Sequence, residues 1–343
     1  MDILGLDIGG ANIKAADCSG RAVSRPFPIW KDPQRLCREV ELLWNEFPQA
    51  TSLALTMTAE LADCFTTKSE GVRFILDQVR QVRPDRQVLI WGTSGRFLQE
   101  ADANQQPMLV AAANWHALAT WIGQSLLPEP VSEDHASLVI DIGTTTADII
   151  PLVDGRPATT GRTDVTRLQS GELCYSGVRR TPLCAVAHSV PFRDGYCPLA
   201  AELFATTLDL YLLLDEIAED FADVDTANGK PATKAAAHDR IARSLCGDRD
   251  EVTFDEAVQI ARFLADVQRQ RLAGALERVL LQQSKKFTEV IISGSGSFLA
   301  RRLIAENRKL AGSNSLSLDK MLSPQIAEAA CAYAVAQLAS DRI

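Results

Sequence analysis

Leu4, Leu6 and Ile8 alternate with smaller or polar positions, with Ile3 beside them, which predicts a strand at the start of the chain. The β pattern continues through 21–30. Leu36, Val40, Leu43 and Phe47 then recur at helical spacing. Residues 51–58 and 87–93 read as two more strands. Between them, 69–82 reads as a helix with Ser69 as its cap. An alanine-rich stretch predicts a long helix over 108–120, and a polar break follows at 129–134. The pattern then restarts. Residues 138–157 read as strand, tight turn, strand, with Asp154 and Gly155 as a hairpin signal. Residues 198–283 are mainly helical, interrupted by a loop near 222–234. A buried strand, a Gly/Ser loop and a helix start follow at 288–303. A last helix is capped by Ser323, with Pro324 in its first turn and a small face of Ala327, Ala330, Ala334 and Ala336.

The restart is a repeat. "LGLDIGGANIK" at 4–14 and "LVIDIGTTTADIIP" at 138–151 place Asp7 and Asp141 at equivalent strand ends, each followed by a glycine turn and a second strand. This strand, turn, strand plan predicts two α/β halves. The first lobe is expected at 1–130 plus 325–343 and the second at 134–324. Neither GxGxxG after the first strand nor GxxxxGK[ST] occurs, so the common dinucleotide and P-loop motifs are absent.

Composition narrows the functional classes. Lys and Arg total 35 against 44 Asp and Glu, a net charge of −9. No general attraction for nucleic acid or an anionic membrane is expected. No apolar run is long enough to span a bilayer and no leader pattern opens the chain, so a cytoplasmic protein is expected. The eight cysteines form no CxxC and are expected to be reduced and mostly buried. Cys174, Cys184 and Cys197 with His188 fit no standard zinc spacing.

With a negative global field, any phosphate must be held by local donors. Gly9 and Gly10, and Gly143 in the second half, allow turns whose successive N–H groups point at one anion. Asn12, Lys14, Thr144, Thr145 and Thr146 add donors and a charge. Asp7 and Asp141 are candidate ligands of a hydrated magnesium ion. A third loop, Gly294, Ser295 and Gly296 within "SGSGSF", could cradle phosphate or accept an adenine. Two ordinary hairpins with capping threonines are the competing structural reading.

These three loops resemble those of the actin, sugar-kinase and heat-shock superfamily, which implies a two-lobed α/β, actin-like ATPase (ribonuclease H-like) fold. On that resemblance, the small-residue helices at 108–120 and 325–338 would be the crossing helices that join the lobes. "LTMTAELADCFTTKSEGV" at 55–72 is similar to the hydantoinase/oxoprolinase family. One departure is alanine at 59, where that motif is expected to carry glycine. "ANWHALATW", "GELCYSGVRRTPLCA", "CPLAAELFATTLDLYLLL" and "NGKPATKAAA" point to its branch linked to tetrahydromethanopterin one-carbon transfer. The resemblance implies methanofuran or methylofuran biosynthesis. An aminomethylfuran-methyl group would pass from its diphosphate to the phenol oxygen of γ-glutamyltyramine or a tyrosine-type acceptor. The expected partners are therefore small diphosphate and phenol substrates. A homodimer is left open.

Such chemistry needs donors for the leaving diphosphate and a base for the phenol. Glu60, Asp63, Asp148 and Glu172 are the acidic residues within the family-like motifs and the candidate catalytic groups. Lys68, Arg179 and Arg180 are candidate substrate contacts. Lys68 and Glu70 could equally be a surface pair, and Lys234 could line the same cleft. Asn114 and His116 read as a buried, hydrogen-bonded pair. Magnesium is the expected cofactor, while ATP belongs to the competing readings, a small-molecule kinase or a hydantoinase-type hydrolase. A nucleotide-gated scaffold is the non-enzymatic alternative.

Overall fold

The computed structural model describes residues 2–127 and 134–342, so most of the polar break at 129–134 lies outside the described residues. The first sheet contains β1 (Ile3–Ile8), β2 (Asn12–Asp17), β3 (Ala22–Pro26), β4 (Ser52–Met57), β5 (Gln87–Trp91) and β6 (Phe97–Leu98), in the order β3-β2-β1-β4-β5-β6. β1 pairs antiparallel with β2 and parallel with β4, and β4 pairs parallel with β5. The second sheet contains β7 (His135–Ile142), β8 (Ala147–Val153), β9 (Arg156–Pro157) and β10 (Leu173–Cys174). A separate hairpin is formed by β11 (Ser189–Phe192) and β12 (Gly195–Pro198). The second sheet is completed by β13 (Lys286–Ser293) and β14 (Asn314–Ser317), in the order β10-β8-β7-β13-β14 with β9 also on β8.

With the two-residue strands β6 and β9 left aside, each sheet runs third, second, first, fourth, fifth. This repeated order makes the chain a mixed α/β protein of the actin-like class. The order follows from the sequence pattern. Each half opens with a tight hairpin around a glycine turn, and a later strand, β4 in the first half and β13 in the second, returns beside the first. The expected turn after β8 is present: Asp154 and Gly155 both have positive φ, 51° and 67°. They set Val153 opposite Arg156.

The chain divides into two compact units, one of Met1–Leu138, Ile150–Arg167 and Leu316–Ile343, the other of Val139–Ile149 and Leu168–Ser315. These units differ from the expected lobes, because 134–138, 150–167 and 316–324 fall in the first. In the first unit the apolar faces of helices Leu36–Asn45 and Lys68–Val82 join the sheet in one core built on Leu4, Leu6, Leu53, Leu55 and Ile90. The final helix, Ala330–Ser340, packs on β1 and on helix Asn114–Ser125. Gly5 makes that approach possible, because a Cβ there would lie 1.9 Å from the carbonyl oxygen of Ala332. These are the two small-residue helices expected to cross between lobes, and both lie within the first unit.

Several expected boundaries shift. The helix expected from 108 starts at Asn114, after a 3-10 turn at Pro107–Leu109 and a left-handed Ala112. Thr67, not Ser69, caps helix Lys68–Val82, accepting from the N–H of Glu70. Ser323 caps as expected, but the last helix breaks at Ala329 into Pro324–Glu328 and Ala330–Ser340. Of the cysteines, only Cys174 is buried and Cys246 is exposed.

Candidate active site

In the first unit, the candidate groups gather at the carboxyl ends of β1 and β4, the usual ligand edge of an α/β sheet. Gly9 turns the chain tightly, its N–H donating to the Asn12 carbonyl at 2.9 Å. Asp7 is in register with Lys14 on β2 and with Thr56 on β4, so the three side chains share one face of the sheet. The ammonium of Lys14 donates to the Glu328 carbonyl at 2.7 Å, just before the final helix begins. Burial pushes the carboxyl of Asp7 up to about 6, against the pull of Lys14. Its Oδ1 and the hydroxyl of Thr56 have no hydrogen-bond partner among the described residues. Such an orphaned buried acceptor fits a hydrated divalent cation, which would satisfy the oxygen and hold the carboxylate ionised.

Glu60 follows β4 in a short 3-10 turn at Ala59–Leu61. It is 1% exposed. Burial pushes its carboxyl up to about 7, partly offset by its own backbone N–H, by Lys68 and by the N–H of Ala112, while Asp164 adds to the rise. Those two N–H groups face the carboxyl without a well-formed bond, and neither oxygen has a hydrogen-bond partner among the described residues. Lys68 pairs with Asp164 at 2.5 Å, each about one-fifth exposed. Glu70 is not its partner. Glu70 accepts from the N–H of Thr66 and closes its own helix cap. Gly71 brings helix Lys68–Val82 onto Glu60, since a Cβ there would lie 2.6 Å from the Glu60 carbonyl oxygen. Ala112, at φ 47°, is a non-glycine residue in the left-handed region. Asp63 is exposed.

His116 is not bonded to Asn114 as expected. The Nε1–H of Trp91 donates to its Nδ1 at 3.3 Å, and the Thr120 hydroxyl lies 3.2 Å from the same atom. An indole nitrogen only donates, so Nδ1 is unprotonated and the imidazole proton sits on Nε2. Burial, helped by Arg162 and Arg167, lowers its pKa to about 4. The Asn114 side chain instead accepts from the N–H of Trp115 at 2.7 Å. The buried Arg167 guanidinium lies over the Trp115 ring, 3.9 Å from its centroid.

In the second unit, Gly143 closes the threonine turn, its N–H donating to the Thr146 carbonyl at 2.8 Å. The segment 176–180 wraps this turn. Val178 N–H donates to Gly143 O, and the N–H groups of Arg179 and Arg180 both donate to Thr144 O, at 3.1 and 2.9 Å. Gly177 lies against the peptide between Thr144 and Thr145, 2.4 Å from where its Cβ would stand. The third loop joins them. Gly294, at φ 84°, admits no Cβ because one would stand 2.5 Å from the Asp141 carboxylate. Gly296 N–H donates to Ile142 O at 2.8 Å as helix Ser297–Glu306 begins. Asp141, the threonine turn and the Gly/Ser loop are thus brought together.

Other candidates are committed elsewhere. The Arg179 guanidinium forks onto both carboxylate oxygens of Asp223, at 2.6 and 2.8 Å, so it is an ion-paired anchor and not an open clamp. Glu172 is buried and accepts from the Ser170 hydroxyl at 2.8 Å. Asp148 stands opposite Leu173 in the β8 to β10 pairing. Lys234 pairs with Asp215 at 2.5 Å. Among the described residues no three His, Cys, Asp or Glu side chains are grouped to hold a metal ion, which sets aside the Cys174, Cys184, Cys197 and His188 combination.

The hydantoinase/oxoprolinase family model matches residues 52–342. The chain belongs to the hydantoinase/oxoprolinase family. A full-length relative from Methanocaldococcus jannaschii is 31% identical over 99% of this chain and 98% of its own. It is named (4-{4-[2-(gamma-L-glutamylamino)ethyl]phenoxymethyl}furan-2-yl)methanamine synthase. A protein of the same name from Methanococcus vannielii is 31% identical over 61% of this chain and 93% of its own. Solved structures include nucleotide-free acetone carboxylase, 13% identical over 90% of this chain and 46% of that one, with a TM-score of 0.48. An archaeal actin homolog, Ta0583, in complex with ADP is 13% identical over 99% and 100%, with a TM-score of 0.45. No helix among the described residues is long and apolar enough to cross a membrane. Within the family-matching region, sequence reasoning missed Asp164, Arg162 and Arg167. They follow the β8 to β9 hairpin outside any motif, about a hundred residues from Lys68.

Proposed function

We propose that this chain is an aryl-ether-forming transferase of methanofuran-type biosynthesis. The C–O bond between an aminomethylfuran-methyl carbon and its diphosphate breaks, and diphosphate leaves with the electron pair. The phenol oxygen of γ-glutamyltyramine or a tyrosine-type acceptor forms the new C–O bond. Its proton passes to a base on the protein. The observation that carries this reading is Glu60, a buried carboxyl with two unpartnered oxygens, poised near neutrality. A phenol O–H entering by local opening would supply the missing hydrogen bond and find a base matched to working pH. The relative named for making a phenoxymethyl-furan methanamine supports the substrate class.

The threonine turn, Asp141 and the loop at 293–298 would receive the departing diphosphate. Lys14 would add charge at the first turn. Within the first unit Asp7 is the residue that would hold magnesium, whose chemistry when bound is to offset phosphate charge. Incubating the protein with a furanylmethyl diphosphate and a tyramine-type phenol should give ether and diphosphate in equal amounts without ATP. Phosphoryl transfer from ATP with no ether formed would refute the transferase reading and favour the kinase.

A further inference from the structure

One polar side chain lies on the apolar stripe of the long helix Phe254–Leu281. Ile260, Leu264, Gln268 and Leu272 recur at four-residue spacing, and all four are buried. Gln268 is fully buried, and a buried amide needs partners for two donors and an acceptor. It has them all. Its Nε2 donates to Ser176 Oγ and to the Gly177 carbonyl, both at 2.8 Å. Its Oε1 accepts from the Tyr211 hydroxyl at 2.6 Å. The Gly177 carbonyl fixes the amide orientation, because a flipped amide would set oxygen against oxygen there.

The contacts continue outward to both loops. The Thr207 hydroxyl also donates to the Gly177 carbonyl, at 2.8 Å. Gly177 backs the peptide between Thr144 and Thr145, and the next three N–H groups bond the turn's carbonyls. On the other side the Tyr211 ring meets Phe298 edge-on at 4.9 Å, directly after the Gly/Ser loop. One amide therefore ties a rigid helix to both walls of the candidate cradle.

We infer that Gln268 is a positioning residue for diphosphate: its amide fixes segment 176–180, which aims the N–H and hydroxyl donors of the turn at 143–146. The inference rests on the reading of that turn as the diphosphate cradle. Exchanging Gln268→Met keeps the side-chain length and removes every polar contact. In the full-length protein with magnesium, calorimetric titration with inorganic diphosphate should show about tenfold weaker binding, the effect of one well-placed hydrogen bond. The KM for the diphosphate substrate should rise with it, while the KM for the phenol stays within about twofold. Tyr211→Phe removes only the hydroxyl that holds the amide. It should give a smaller change in the same direction, and it serves as the test if Gln268→Met does not fold. A lowered Tm with wild-type diphosphate affinity would overturn the inference, leaving Gln268 as core structure. A wild-type protein that binds no diphosphate would overturn the cradle itself.

Discussion

Exchanging Glu60→Gln should make the protein more stable and less active, and the two effects can be measured separately. Below the ordinary carboxyl value both folded and unfolded chains hold the proton, so Glu60 contributes no pH dependence there. As pH rises from 4.5, the unfolded chain releases the proton while the folded chain keeps it to about 7. Stability therefore falls through that window and levels off above it. At about 1.36 kcal/mol per unit, a rise from 4.5 to about 7 corresponds to about 3 kcal/mol lost by pH 8.5. Glutamine has no proton to lose, so the variant escapes this loss. Asp7 is common to both proteins and cancels in the difference.

Urea denaturation of both proteins at intervals from pH 4 to 8.5 reads the effect directly. The stability difference should be small at the acid end and grow in favour of the variant up to about 3 kcal/mol above pH 7. Ether formation should drop by about 10²–10⁴-fold, the range for a lost general base. The drop should shrink for fluorinated phenols, which ionise without help. Parallel stability curves would refute the protonation argument. An activity loss independent of phenol acidity would refute the role as base.

Gly10→Ala should fold normally, because nothing lies within 4 Å of its Cβ position, yet weaken diphosphate binding as the methyl covers the glycine turn after β1; unchanged binding by calorimetry would show that this turn holds no phosphate. Ala112→Gly should raise stability by about 1 kcal/mol in thermal unfolding, since φ 47° suits glycine; a fall would mean the alanine methyl packs usefully. Asp7→Asn should fold and lose most of the magnesium dependence of diphosphate binding. Equal dependence in variant and wild type would show that Asp7 holds no metal.

The strand, glycine turn, strand openings were legible because alternation and glycine placement are local properties, and they carried the repeat and the sheet order. The helix starts were read less well for specific reasons. "TKSE" at 67–70 contains the threonine-to-glutamate capping signature, so the cap lies two residues before Ser69. Alanine gave no sign that Ala112 would turn left-handed. The break at Ala329 coincides with Lys14 bonding the carbonyl of Glu328, a contact across 314 residues. Glu60 was legible as a candidate from its motif, but its environment was not. Asp164, which faces the same group from the other side of the chain, belongs to no motif.

Buried polar groups are treated differently behind the threonine turn and at the carboxyl ends of β1 and β4, and the difference bears on their roles. In the second unit Arg240 Nη2 lacks a well-formed hydrogen bond although it pairs with Asp209 at 2.7 Å, but behind the threonine turn Gln268 satisfies every donor and acceptor it carries. Satisfied networks make rigid supports, as a cradle of fixed donors requires. The first unit leaves Asp7 Oδ1, the Thr56 hydroxyl and both Glu60 oxygens without partners, and sets Ala112 in a strained backbone conformation beside Glu60. Each such feature costs about 1–3 kcal/mol. Ser52 Oγ and Trp115 Nε1, elsewhere in the first unit, also lack hydrogen-bond partners among the described residues, but three of the orphaned groups follow one another at the carboxyl ends of β1 and β4, and the strained residue faces the third. On the transferase reading, the groups left open are those that must exchange partners during turnover, with metal or proton at Asp7 and the phenol proton at Glu60. The groups that only hold a ligand in place are closed. A stabilised variant obtained by filling the first unit's vacancies should therefore lose activity, whereas stabilising changes away from β1, β4 and the threonine turn should leave it intact.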